Sequence, residues 1–324
     1  MTRFILKAIV FVALLVVTQV AAAQEENSGV VSAKIFANYH QQLAEDNSGF
    51  ELQRAYFGYN KDLGNGFSGF VKLDVGYPDD NNQYAYFKNA GVKYKKDALE
   101  VQFGLIDGNT FKIQEGFWGH RYIYKSFMDQ HKFGSSADLG TKVAYKFTNW
   151  LSADAMVLNG EGYKKPQGDS RYKGTFGVTL NPVDALTVRL YTDYVKSAYS
   201  QRTYAAFVGY KYEKLFSVGA EYNMMVNNKY RNDHNLDGIS AYALLNATPK
   251  LEIFARYDQL ASNEFDKNGE MVAWDLAKDG SQIIGGVQYK VHRNVKLALD
   301  YQSWTPADGG DSKSFVFLHT EIKL

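Results

Sequence analysis

The stretch from Asp107 to Ala137 concentrates side chains that could do chemistry. Lys112, His120, Arg121 and Lys125 stand there among Phe111, Phe117, Trp118, Tyr122, Tyr124 and Phe127. Two chemistries suit those residue types. Ammonium and guanidinium groups in a confined, low-dielectric space attract anions. Alternatively, His120 and His131 beside Glu115 and Asp129 could move protons or hold a metal. The second reading lacks support from spacing: the four residues match no metal-site pattern, and His40, His234, His292 and His319 are scattered with none in a nucleophile motif. No catalytic residue, metal or cofactor is expected, and the chain is read as a non-enzyme.

Chemistry of the first kind needs elements that enclose a lumen. The 324-residue chain opens with Arg3 and Lys7 around an apolar run, Ala8 to Val20, that ends in Ala21-Ala22-Ala23 before Gln24. That is the pattern of an export signal, so residues 1–23 are expected to be removed and 24–324 to form one domain. With no cysteine, no disulfide framework is possible. Without Arg3 and Lys7 the 36 basic residues become 34 against 35 acidic ones, a balance that argues against a nucleic-acid partner. No stretch after Gln24 is apolar for the length of a membrane helix, so a membrane could be crossed only by a closed barrel.

Periodicity supports that barrel. Leu186, Val188, Leu190, Thr192 and Tyr194 alternate with Thr187, Arg189, Tyr191 and Asp193; Leu251, Ile253, Ala255 and Tyr257 alternate with Glu252, Phe254, Arg256 and Asp258. Period two means strands with one apolar and one polar face. Segments near ten residues exceed the usual five or six of a soluble sandwich and match a tilted strand crossing a bilayer, lipid outside and water inside. Tyr59, Tyr94, Tyr210, Tyr212, Tyr289 and Tyr301 at strand ends fit aromatic girdles. Short turns (Asp62 to Gly66, Lys95 to Asp97, Thr148 to Trp150, Asn181 to Asp184, Glu213 to Lys214, Thr248 to Lys250, His292 to Asn294) alternate with eight longer polar loops. The expectation is therefore an all-β, transmembrane antiparallel barrel of about sixteen strands.

The third loop, Asp107 to Ala137, carries more aromatic surface than a solvated loop can leave bare, so it is expected to fold into the lumen and narrow it. Lys112, His120, Arg121 and Lys125 then become constriction residues. Strand parity turns Arg54, Lys72, Lys142, Lys146, Arg189 and Arg256 inward as pore-lining cations, with Asp74, Asp154, Asp193, Glu221, Glu252 and Asp258. A cluster of Arg121, Lys125, Arg54 and Lys72 would favour anions; pairing of each with a carboxylate is the competing expectation.

Strand-ending Gln102-Phe103-Gly104, the third-loop Gly119-His120-Arg121-Tyr122 and the loop exit at Asp138-Leu139-Gly140 give the chain a family resemblance. Over essentially the whole mature length it resembles the phosphate-selective porins of Gram-negative outer membranes. The resemblance implies export to the outer membrane, passive diffusion of small hydrophilic solutes or anions, contact with outer-membrane lipid and a possible homotrimer. The chain departs from that family's pattern in carrying a single third-loop arginine, Arg121, and no proline near the loop's start. Two other readings stay open: a closed-lumen receptor or structural barrel whose long loops bind a partner, and, more remotely, a barrel-embedded hydrolase.

Overall fold

In the computed structural model, which describes residues 29–77 and 82–324, the alternating segments pair into a single closed sheet. The expected export signal lies outside the described residues. The sixteen barrel strands are β1 (Val30–Gln42), β2 (Ser48–Gly64), β3 (Phe67–Gly76), β4 (Tyr84–Lys96), β5 (Leu99–Asp107), β6 (Ala137–Lys146), β7 (Leu151–Leu158) and β8 (Lys173–Val183), followed by β9 (Leu186–Val195), β10 (Gln201–Tyr212), β11 (Phe216–Val226), β12 (Asn235–Asn246), β13 (Leu251–Phe265), β14 (Gly280–His292), β15 (Val295–Pro306) and β16 (Lys313–Lys323). Each is antiparallel to its predecessor. β16 returns to β1, from Lys34 opposite Lys323 to Gln42 opposite Phe315, and closes the ring. The two-residue ladder of Met271–Val272 on Glu264 and Phe265 belongs to the loop after β13.

Most of the expected turns and loops fall where the sequence places them; β13 runs on to Phe265, so the loop expected from Ala261 begins five residues later, and the loop expected at 78–83 lies largely outside the described residues. Asn65 and Gly66 both take positive φ, 54° and 83°, the conformation an Asn-Gly hairpin favours. Along β10, Thr203, Ala205 and Phe207 are buried while Tyr204 and Val208 are exposed. The outer surface carries Leu190, Val208, Val218, Ile253, Ile283, Leu299 and Leu318 in the open. So much contiguous apolar surface is unstable in water and suited to hydrocarbon. Tyr59, Tyr212, Tyr289 and Tyr301 are exposed, Tyr212 and Tyr289 near strand ends but Tyr59 and Tyr301 within their strands; Tyr94 and Tyr210 are half-buried.

Two bulges break the parity rule within the barrel wall. Phe36 pairs with Arg54 and Ala37 with Leu52, which leaves Gln53 without a partner in β2. Lys72 pairs with Asn89 and Leu73 with Phe87, which leaves Lys88 extra in β4. Both Lys88 and Asn89 are consequently buried, whereas strict alternation would send one of them outward. β4 pairs with β5 only from Ala90 to Lys96, so the sheet opens above that point, where the third loop departs.

An arginine at the middle of the outer face tests this arrangement. Leu190→Arg is expected to cost about 2–4 kcal/mol of folding free energy in lipid vesicles. Denaturant titration followed by tryptophan fluorescence measures it. An unchanged midpoint would mean that this face does not meet hydrocarbon.

Candidate functional site

The third loop folds into the lumen as expected. It forms α1 (Lys112–Trp118) and α2 (Phe127–Gln130). Its aromatics are its anchors: Phe111, Trp118, Tyr122, Phe127 and Phe133 are essentially inaccessible to solvent. Trp118 packs against Tyr242 of β12 and edge-on to Phe254 of β13, with ring centroids 5.3 and 6.1 Å away. Phe117 meets Phe207 of β10 edge-on at 5.2 Å. The wall is shaped to receive them, because Gly209 lies under Phe117 and Gly238 under Phe127, where any Cβ would collide with the ring. Polar bonds tie the same loop down. Tyr122 donates to Gln288 Oε1 at 2.8 Å, and Arg256 Nη1 donates to the Lys125 carbonyl at 2.8 Å.

This docking corrects three of the expected site residues. Arg189 and Arg256 do point inward but are covered by the loop, 1 % and 3 % exposed; Arg256 lines no cavity among those described, and Arg189 only borders the small one at the loop's start. Arg189 pairs with Asp154 and donates to the Asn109 carbonyl at 3.3 Å; Arg256 forms a two-pronged pair with Asp258 at 2.8 and 2.7 Å. They anchor the loop. His120 is also buried, its Nδ1 2.6 Å from the Trp118 carbonyl and its Nε2 2.5 Å from Glu252 Oε1. Lys146 sits exposed at the short-turn rim.

Three of the remaining expected residues come together on the far side of the lumen. Arg121, Lys72 and Lys112 line one cavity of ≈ 710 Å³ with Lys34, Lys88 and Lys323, opposed by Glu115 and Glu321. Arg121 lies 3.3 Å from Asp129 and 3.6 Å from Glu115, Lys112 3.4 Å from Asp107, and Arg54 3.2 Å from Asp74. Pairing with carboxylates is thus correct for those three and for Lys142, 3.1 Å from Glu100. Among the described residues, Lys34, Lys72 and Lys88 have no carboxylate within ion-pair distance. Burial holds the Lys125 ammonium below its ordinary pKa; Asp129 opposes the shift, and Arg121, Arg54 and Lys164 reinforce it.

Lys34, Lys88 and Lys323 were not among the residues expected from sequence. Lys34 shares parity with Phe36 and was open to detection on that ground. Lys88 was not, because it faces inward only through the β4 bulge. Its Nζ donates to Ser136 Oγ at 3.0 Å and lies over the Tyr56 and Tyr163 rings at 5.3 and 5.2 Å.

Removal of the central anchor, Trp118→Ala, is expected to destabilise the docked loop by about 3–5 kcal/mol. Trypsin cleavage within residues 107–137 and a larger single-channel conductance would show it. The loop also carries a pH dependence. Burial lowers His131 to about 4, whereas a free imidazole titrates near 6.5. The undocked loop therefore binds the proton more readily, so docking is strongest above about pH 6.5 and weakens as the pH falls towards 4. His131→Phe should flatten trypsin sensitivity across that window.

No protein-family model matches the chain, and no curated protein matches its sequence. Solved structures do match in fold. OmpT of Vibrio cholerae, an outer-membrane protein, superposes with TM-score 0.66 at 12 % identity over 93 % of this chain and 98 % of its own. The outer membrane channel DcaP of Acinetobacter baumannii gives 0.64 at 13 %, covering 92 % and 97 %. Salmonella typhi OmpF gives 0.65 at 12 %, covering 92 % and 98 %. The closed sixteen-strand antiparallel barrel is a fold that this chain shares with these outer-membrane proteins.

Proposed function

We propose that this chain is an outer-membrane porin through which small hydrophilic solutes diffuse passively, with anions preferred. The observation that carries the reading is the basic chamber beside the third loop, where six cations face two carboxylates and three of the cations lack a carboxylate partner. At an effective dielectric near 20, an anion about 4 Å from one unit positive charge gains about 4 kcal/mol before its own desolvation. A cation there meets the opposite sign. The paired groups, Arg54, Arg121 and Lys112, add less because their fields are partly cancelled, so Lys72, Lys88 and Lys34 carry the preference, with Lys125 nearby. Arg121 and Lys125, on the loop itself, place charge where the lumen is narrowed.

Residues 1–23 act in this reading as the export signal, and the apolar outer face meets outer-membrane lipid. Association into trimers is part of it: OmpT of Vibrio cholerae has a trimer form. The loops after β11 and β13 leave a second reading in view, a closed barrel that binds a partner.

Planar-bilayer recording separates the two. The refolded protein should show stepwise channels whose reversal potential across a KCl gradient has the anion-selective sign. In the Lys34→Ala, Lys72→Ala double variant the chloride-to-potassium permeability ratio should fall roughly threefold to tenfold, about 0.7–1.4 kcal/mol. Absence of steps from well-folded protein would favour the closed barrel. Steps with cation preference would overturn the anion reading alone.

A further inference from the structure

We infer that the smaller lumen cavity, between the start of the third loop and the wall from β2 to β9, binds a polyhydroxylated solute of monosaccharide size. The inference rests on the proposed pore only for the route by which the solute arrives.

The cavity has a volume of ≈ 350 Å³; five cations (Lys72, Lys93, Lys112, Lys142, Arg189) and two carboxylates (Asp107, Asp154) line it together with four side-chain amides. It shares Lys72 and Lys112 with the basic chamber, so the two adjoin. Its size lies within the range of small-molecule sites, about 300–1,000 Å³. What distinguishes it from the chamber is its set of amides, Asn60, Asn89, Gln102 and Asn109, which place acceptors beside the cations.

Asn89, brought inward beside Lys88 by the bulge, is 4 % exposed. Its Nδ2 donates to Asp107 Oδ1 at 3.1 Å, while its Oδ1, a buried acceptor, has no partner. Gln102 donates from Nε2 to Glu100 at 2.8 Å, which leaves its carbonyl oxygen for the cavity. Asp107 adds a carboxylate, which lies 3.4 Å from Lys112. Against these acceptors stand the ammonium groups of Lys72 and Lys93, neither of which has a carboxylate within ion-pair distance among the described residues.

An anion without O–H groups, such as chloride or sulfate, only accepts hydrogen bonds, so it would leave Asn89 Oδ1 unpaired and bring its charge against Asp107. An ammonium ion only donates and would meet Lys72 and Lys93. A hydroxyl does both, and a ring of hydroxyls satisfies donors and acceptors placed side by side. The Phe70 ring and the Ile113 side chain give the cavity an apolar surface that suits the C–H face of a sugar. Buried polar atoms without a partner are costly, and a bound solute that pairs Asn89 Oδ1 removes that cost.

Saturation-transfer NMR of the detergent-solubilised, refolded barrel with glucose as the probe tests the site. Transfer to the glucose protons should saturate in the millimolar range. It should weaken about tenfold in Asn89→Leu and persist in Asn89→Asp, which keeps an acceptor oxygen. Heat-modifiable mobility on a gel establishes that each variant has folded, and Gln102→Leu replaces Asn89→Leu if that variant has not. No transfer, transfer unaffected by the leucine variants, or displacement of glucose by equimolar inorganic phosphate would overturn the assignment. Conductance of the same preparation keeps the two readings apart. Channels without glucose transfer sink the site and leave the pore; transfer without channels upholds the site and sinks the pore.

Discussion

The backbone's need for hydrogen bonds where no water can supply them governs this structure. A strand edge left open in hydrocarbon would leave unpaired N–H and C=O groups at several kcal/mol each. The chain meets the constraint by returning its last strand to its first, with residues 315–323 of β16 laddered onto residues 34–42 of β1. Everything else follows from that closure. An apolar exterior, a polar interior and loops gathered at two ends are consequences of sixteen strands that alternate faces around a ring.

A ring of that size would enclose a wide water-filled lumen, and the third loop decides how much remains. Its docking is a packing problem solved from both sides. The loop supplies large aromatic knobs, Trp118, Phe117, Phe127 and Tyr122, and the wall supplies rings from Phe207, Tyr242 and Phe254 with glycines where the approach is closest. Burial of these rings also explains the fate of Arg189 and Arg256. Both lie under the loop, paired with Asp154 and Asp258, and their remaining donors hold backbone carbonyls of Asn109 and Lys125. A buried ion pair is affordable only with such extra hydrogen bonds.

The charge pattern of the open side depends on pairing rather than on number. The chain is close to neutral, yet its cations and carboxylates are unevenly matched. Arg54, Arg121, Lys112 and Lys142 are neutralised by neighbours, while Lys34, Lys72 and Lys88 are not. The β4 bulge contributes directly, since it turns Lys88 to the basic chamber and Asn89 to the adjoining cavity from adjacent positions. One unpaired residue in a ladder thus supplies two lumen environments with a side chain each.

The sequence by itself determined the fold. Period-two alternation, seven short turns and eight longer loops are local signals, and the apolar face of β9 or β13 is legible in ten residues because a strand has only two sides. The aromatic crowding of Asp107 to Ala137 likewise announced a buried loop, since such surface cannot stay in water. Only the tertiary structure decided which inward cations see solvent. Parity turned Arg54, Lys72, Arg189 and Arg256 all to the lumen, but the third loop lies against one wall and covers the last two. Parity also could not find Lys88, because a bulge is a mismatch between two strands, and neither strand carries it alone.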